Sequence, residues 1–443
     1  MATITKIKNS KKGSYRITVS NGYDSNNKQI RITKTFTPDK TKSERQQTKQ
    51  VQEYAIEFEK KVKTGKLCEG DKINFYDFVK KWEEDEAKQH LEETTLYTYK
   101  GHLNRVIIPV LGKYKMIAIT PVILEKFYNS LTKDNAKIRG EGGYKNSSIR
   151  KFHKIISSIM RTAVRWKVIE ENPCEKAELP KERVSNSDVK HFTVEQAKRF
   201  LEAMDKPYNV PYNGHRLTIP NGEIIVLDFV KERTLPIQFK IFYRLCLFAG
   251  LRKGEAIALT WQDIDFGKNT ISVTKSVGHT QSGQKTKSTK TVNSNREIPI
   301  SQNEVDLLLK WKTEQKSFML TVGSKWEGYR GQDFDKNNIF IQMNTNYGKT
   351  MNEGTPYRKF VTFIKYYNQA VEREEDCLPV IPLHGLRHTC ATLHIALGTD
   401  IKTLQAILGH ANIQTTLNIY THALEEQKRK ASNALDILLN KEA

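Results

Sequence analysis

Residues 180–192, Pro-Lys-Glu-Arg-Val-Ser-Asn-Ser-Asp-Val-Lys-His-Phe, carry no apolar rhythm, and they divide this chain into parts that cannot share one fold class. Before them, residues 72–180 repeat apolar side chains at helical spacing. Phe75, Phe78, Val79 and Trp82 form one stripe. Tyr99, Leu103 and Val106 follow Thr94-Thr95 in a second, and Leu124, Phe127 and Leu131 follow Pro121 in a third. Phe152, Ile155, Ile156, Ile159, Ala163 and Trp166 make a fourth. A 3.6-residue period over four segments predicts an all-α domain with these residues as its core.

The first 40 residues have a different period. Tyr15–Val19 and Gln29–Thr33 alternate, with Asn21-Gly22 and Asp24-Ser25-Asn26-Asn27 as turn material between them. Alternation predicts strands, and residues 41–64 then read as a helix through Val51, Tyr54, Ala55 and Phe58. One sheet face is expected to carry Arg16, Arg31 and Thr33. Beyond the linker the pattern is mixed α and β. Phe239, Phe242, Leu245 and Phe248 line a helix closed by Gly250, whereas Asn269–Val277 and Arg296–Ile300 read as strands. Residues 282–290 between them read as a polar, basic hairpin tip. Residues 206–234 and 315–354 read as elaborations on this last domain.

Composition then narrows the partners. The chain has 72 Lys+Arg against 50 Asp+Glu, a net charge of +22 and a pI near 9.5. Such an excess points to a polyanion, most simply nucleic acid. A basic membrane-surface helix would gather its charge on one segment, but here it is spread along the chain. No run approaches the ~18 apolar residues of a membrane span, so no membrane is expected. The five cysteines, Cys68, Cys174, Cys246, Cys377 and Cys390, are odd in number and include no CxxC pair. They suggest neither a zinc site nor a disulfide framework, and fit a reducing cytosol. There is no Walker loop, GxGxxG, DxD or paired-carboxylate site, so no metal and no cofactor is expected.

The chemistry concentrates late in the chain. His384-Gly385-Leu386-Arg387-His388 precedes Leu408-Gly409-His410, and Tyr420 follows. Upstream, Gly250-Leu251-Arg252-Lys253-Gly254-Glu255 supplies another arginine. Arginine forks grip phosphate oxygens, histidines move protons near neutral pH, and a tyrosine hydroxyl can act as a covalent nucleophile. Glu255, three residues after Arg252, is placed to orient a guanidinium.

The order and spacing of these motifs resemble the tyrosine recombinase, or phage-type integrase, family. Ala249–Glu255 resembles the box of the first arginine, and Lys290-Thr291 with Ser294, Arg296, Ile298 and Pro299 resembles the hairpin carrying the family's lysine. His384–His388 resembles the HxxR box and Leu408–His410 the LGH box. The resemblance implies a catalytic set of Arg252, Lys290, His384, Arg387, His410 and the nucleophile Tyr420. Lys285 and Lys287 share the hairpin with Lys290, and His388 is open between packing and a supporting role.

The resemblance also implies a multidomain layout. A small β-sheet plus helix module, residues 1–66, would bind arm DNA, with Arg16, Arg31 and Lys34 as contacts. An all-α, SAM-like core-binding domain, residues 72–180, would contact DNA through Lys100, Arg150 and Lys154. A mixed α+β catalytic domain would span residues 187–443. The implied partners are double-stranded attachment sites, three further copies in a tetramer on DNA, a small excision or directionality factor and a host DNA-bending protein. The implied location is the cytoplasm of a bacterial host, on the nucleoid. A type IB topoisomerase or resolvase would share the last domain without needing the first. A regulator that kept only the fold should have lost Arg252, Arg387 or Tyr420. Residues 425–439 form a last apolar stripe, which packs either on its own domain or on a neighbour's.

Overall fold

The structure is a computed structural model that describes residues 2–7, 13–23, 28–63, 70–137, 140–181, 190–218, 223–288 and 295–410, together with Ile413 and Leu417. Lys290, Thr291, Ser294, Cys68, Tyr420 and residues 425–439 lie outside the described residues. The chain divides into two compact units, residues 1–184 and 185–443.

The first unit begins with an antiparallel sheet in the order β1 (Thr3–Lys6), β2 (Tyr15–Tyr23), β3 (Gln29–Phe36). Ile17 and Val19 point from β2 onto Ala55, Phe58 and Val62 of α1 (Glu44–Lys63), a small apolar core of its own. The register pairs Arg16 with Thr35, Thr18 with Thr33 and Ser20 with Arg31, so these six share the face turned away from α1. Lys34 pairs with Ile17 and therefore lies on the opposite face.

The helical part follows the expected stripes. The helix α2 (Phe75–Trp82) is capped by Asn74, whose Oδ1 accepts from Asp77 N at 2.8 Å. It continues through a π turn, Glu83–Ala87, into α3 (Lys88–His90). Helix α4 (Glu93–His102) likewise runs through a π turn, Leu103–Ile107, into α5 (Ile108–Leu111). Pro109 has no N–H for the carbonyl four residues back, which accounts for the wider turn. Thr120 caps α6 (Pro121–Leu131), and α7 (Asn146–Arg165) closes the bundle. Phe75, Phe78, Trp82, Leu124, Phe127 and Phe152 are all buried in one cluster.

The second unit starts before its first helix. Phe192, the last residue of the expected linker, is buried, and its N–H donates to Thr389 Oγ1 at 3.0 Å. Residues 190–192 therefore belong to this core. Helix α8 (Val194–Asp205) starts with a reciprocal Thr193–Gln196 cap. Within 206–234, β4 (Tyr208–Thr218) pairs antiparallel with β5 (Ile224–Arg233). Helix α9 (Ile237–Phe248) runs through the core, and the short α10 (Lys253–Ala258) follows.

Next come β6 (Ile264–Asp265), β7 (Thr270–Val273), β8 (Lys275–Thr280), β9 (Gly283–Ser288) and β10 (Arg296–Pro299). One sheet has the order β10-β7-β6, and among the described residues β8 pairs with β9 in a two-stranded ribbon. Residues 283–288, read from sequence as a hairpin tip, are thus a strand. Their polar and basic side chains show no apolar alternation because most of this ribbon is wet. Among the described residues, α11 (Gln302–Val322), α12 (Thr355–Gln369), α13 (Leu383–Ala396) and α14 (Ile401–Leu408) follow.

Candidate active site

The site is built where three chain reversals meet. The first follows α9. Gly250 has a φ of +60°, and a Cβ there would stand 2.7 Å from Leu408 Cδ2, so this turn takes glycine on both counts. It delivers Arg252 to the start of α10. Glu255 reaches back and accepts from the Arg252 N–H at 2.9 Å and from Arg252 Nη1 at 2.6 Å. Glu255 is therefore both the cap of α10 and the partner of the arginine.

The second reversal opens α13. Pro382 precedes it, and His384 and Arg387 lie in and just past its first turn. A Cβ on Gly385 would meet Lys190 O at 2.5 Å, so glycine lets residues 190–192 cross this helix start. Arg387 turns inward and is only 2% exposed. Its Nη1 donates to Gly250 O and its Nη2 to Leu408 O, both at 2.5 Å. The His384 ring meets His388 edge-on, with centroids 4.7 Å apart.

The third is the end of α14. Asp400 caps its start by accepting from Lys402 N and Thr403 N. Gly409 ends it in the left-handed conformation, with a φ of +62°, and His410 follows, buried. A helix end leaves carbonyls without intrahelical donors and carries partial negative charge. Here three consecutive carbonyls each take an arginine. Ile407 O accepts from Arg296 Nε at 2.8 Å, Leu408 O from Arg387, and Gly409 O from Arg252 Nη2 at 3.0 Å. Glu255 joins two of these arginines, since its Oε2 also accepts from Arg296 Nη2 at 2.9 Å.

Residues 224–427 match the Phage integrase family, and residues 74–132 match the phage integrase N-terminal SAM-like domain. The chain belongs to the phage integrase family of tyrosine recombinases. It is a DNA strand-transferring enzyme. A tyrosine recombinase XerC-like protein of Caldanaerobacter subterraneus subsp. tengcongensis is 26% identical over 99% of this chain and 100% of its own length. The ICEBs1 integrase of Bacillus subtilis is 28% identical, with 68% of each chain covered. The transposase from transposon Tn916 of Enterococcus faecalis is 27% identical over 64% of this chain and 60% of its own. Among solved structures, the Tn1549 transposon integrase in complex with a circular intermediate DNA has a TM-score of 0.57 at 20% identity, covering 81% of this chain and 99% of that one. The likeness to that structure is one of fold.

The recombinase site has a distinct electrostatic character. Burial pushes the Arg387 guanidinium down to about 9, helped by the charge of Arg252, and it stays protonated at neutral pH. Burial alone would raise the Glu255 carboxyl, but the bond and charge of Arg296, with Arg252 behind them, hold it below the usual range. His410 is pushed down to about 4, by burial first and then by Arg387 and Arg252. His388 is also pushed down to about 4, by burial, His384 and Arg387. His384 is lowered by partial burial and by the same two arginines, although its ring still reaches solvent. At neutral pH the histidines are thus neutral imidazoles set in a cationic field.

Arg252, His384, Arg387 and His410 are brought together in this way; Lys290 and Tyr420 lie outside the described residues. The hairpin β8–β9 that leads to Lys290 packs on α10, where a Cβ on Gly254 would meet Ser276 Oγ and Val277 O, each at 2.7 Å. Of the expected DNA contacts, Arg16 and Arg31 share the outer sheet face, whereas Lys34 lies on the other face and pairs with Asp71 at 3.5 Å. Lys100 pairs with Glu83 at 3.1 Å. Arg150 and Lys154, four apart on α7, are exposed on one helical face. Sequence reasoning placed Arg296 in a motif but gave it no task. The signal was its position, two residues before the buried Ile298 and so on the inward face of β10.

Proposed function

We propose that this enzyme is the integrase of a mobile element, integrating and excising it through a 3′-phosphotyrosine intermediate. The observation that carries this reading is the convergence of Arg252, Arg387, His384 and His410 on one helix end. Preorganised cations and donors stabilise the charge that grows on phosphorus during transesterification. Arg252, about a third exposed, spends N–H groups on Glu255 and Gly409 O, and its other guanidinium donors can reach the phosphate. Arg387 exchanges a carbonyl for a phosphate oxygen when DNA enters. The neutral His410 donates to a non-bridging oxygen.

In the proposed step Tyr420 Oη attacks phosphorus and its proton passes to the neutral His384. The P–O5′ bond breaks, and the leaving 5′-oxygen takes a proton from Lys290. One phosphodiester is exchanged for another, so no ATP is required. Exchanging two duplexes needs four such cleavages in two sequential pairs through a Holliday junction, which calls for a tetramer on the DNA. An isoenergetic reaction takes its direction from bound proteins, a small excision factor and a host DNA-bending protein. A DNA substrate supports action in the cytoplasm of a bacterial host, on the nucleoid. The ICEBs1 and Tn916 relatives support a conjugative element.

Three functional domains fit this scheme: residues 1–66 on arm DNA, 72–180 on the core site and 187–443 for catalysis. The separate core under the first sheet and its outer face with Arg16 and Arg31 support the arm-binding role. Lys34 does not share that face. The test is Tyr420→Phe on a nicked suicide substrate, read on a denaturing gel. The expected result is loss of the covalent adduct with DNA binding within about threefold of wild type, because only the nucleophilic oxygen is removed. An adduct formed by the variant would remove Tyr420 from the mechanism.

A further inference from the structure

We propose that Arg296 is a positioning residue of the recombination reaction, locking Arg252 and the Gly409–His410 turn into one unit through Glu255 and the Ile407 carbonyl. It rests on the reading of Arg252 and His410 as phosphate-binding groups. The Arg296 side chain, only 6% exposed, is turned to a main-chain carbonyl and a buried carboxylate, so it acts through those groups. Its bonds run in two directions: Nε to Ile407 O at 2.8 Å, Nη2 to Glu255 Oε2 at 2.9 Å. The first fixes the end of α14; the second fixes the carboxylate that grips Arg252.

The packing shows the same link. A Cβ on Gly409 would stand 3.0 Å from both Cδ and Nη1 of Arg296. The glycine before His410 is therefore seated against this arginine's stem as well as held in a left-handed turn. Arg296 comes from β10, whereas Arg252 comes from α10 and His410 from the end of α14. Without Arg296, nothing among these bonds ties the β10 strand to either group. Lysine could reach one acceptor but not both, since only the guanidinium fork spans a carbonyl and a carboxylate.

Glu255 is the junction. It faces Arg252 on its own turn, Arg296 on β10, Arg387 and His384 on α13, and Cys246 on α9. Removing Arg296 leaves a buried carboxylate with fewer cations, which raises its pKa. Protonation would then release the bond to Arg252 at a pH where the wild type keeps it. A residue that merely holds the fold would not move the pH profile of cleavage.

The experiment uses the full chain and single-turnover cleavage of a nicked suicide substrate from pH 5 to 8. Arg296→Ala is expected to lower the cleavage rate about 10- to 100-fold at pH 7, with DNA affinity within about threefold. It should also move the acid limb of the cleavage profile to higher pH than in wild type. Arg296→Lys should recover less than a tenth of the loss. Glu255→Gln combined with Arg296→Ala should lose less than the product of the two single losses, because one of the two routes from Arg296 runs through Glu255. Wild-type rates and an unshifted profile in Arg296→Ala, or multiplying losses in the double variant, overturn the proposal. If Arg296→Ala does not fold, Arg296→Lys decides: full activity overturns it. Arg252→Ala is the reference: if that variant cleaves normally, the reading of Arg252 fails, and if only Arg296 variants are normal, the positioning role alone fails.

Discussion

The helical bundle and the arginine-lined end of the second unit bury opposite kinds of side chain. Among the described residues, the bundle buries Phe, Ile, Leu and Trp, with Thr162 and Asn172 as its buried polar side chains. Both of these bond to neighbouring groups on their own turns or close by. The second unit buries Glu255, Glu304, Arg387 and His410, and nearly buries Arg296. Burying charge stabilises little, because desolvation offsets most of the Coulomb gain. The bundle is assembled by apolar area. The arginine cluster is held in spite of its desolvation cost, and its return is a fixed positive field at one helix end.

The comparison breaks most decisively at Arg252. Arg252→Ala should slow cleavage by about 10²–10³-fold, the usual loss for one preorganised donor to a developing anion. The fold should change little, since the side chain is partly exposed and Glu255 keeps Arg296. Single-turnover cleavage and thermal melting check this together. An equal fall in both would mean that the cluster is structural.

The bundle should give the reverse. Phe152, 1% exposed, packs edge-on against Tyr144 and His102. Phe152→Ala should cost about 3–5 kcal/mol of stability, as large cavities in apolar cores do. Hydrogen exchange read peptide by peptide should show the loss within α7 and its neighbours. The cleavage step on prebound DNA should be unaffected at temperatures where the bundle is still folded.

A smaller effect sharpens the contrast through pH. His388 and His410 have folded-state values near 4, below the 6.5 of a free imidazole. Between those values the unfolded chain binds more protons than the folded one, so stability falls as pH drops from about 6.5 towards 4. Hydrogen exchange at pH 7 and pH 5, corrected for intrinsic rates, should show the ends of α13 and α14 loosening. His410→Asn should weaken that dependence, and an unchanged dependence in the variant would assign it elsewhere.

The two regions were also unequally legible. Phe75, Phe78, Val79 and Trp82 were read as one buried stripe, and all four are buried, because a 3.6 period acts through neighbours in sequence. Phe248, read as part of a similar stripe, is 42% exposed at the end of α9, where the Arg244 guanidinium covers its ring. The arginine cluster left a fainter trace. Its acceptors are main-chain carbonyls, which no residue type announces, and two of its three donors lie 111 and 157 residues away from them. The motifs named Arg252, His384, Arg387 and His410, whereas the task of Arg296 emerged only from three-dimensional geometry.

The central claim is that this positive field serves attack by one particular tyrosine. It is tested most directly by trapping the wild-type chain on a suicide substrate, digesting the adduct and sequencing the DNA-linked peptide by mass spectrometry. The account predicts a nucleotide attached through Tyr420. Attachment through Tyr366, Tyr367 or any other residue, or no covalent adduct under conditions where the DNA is cut, would contradict it.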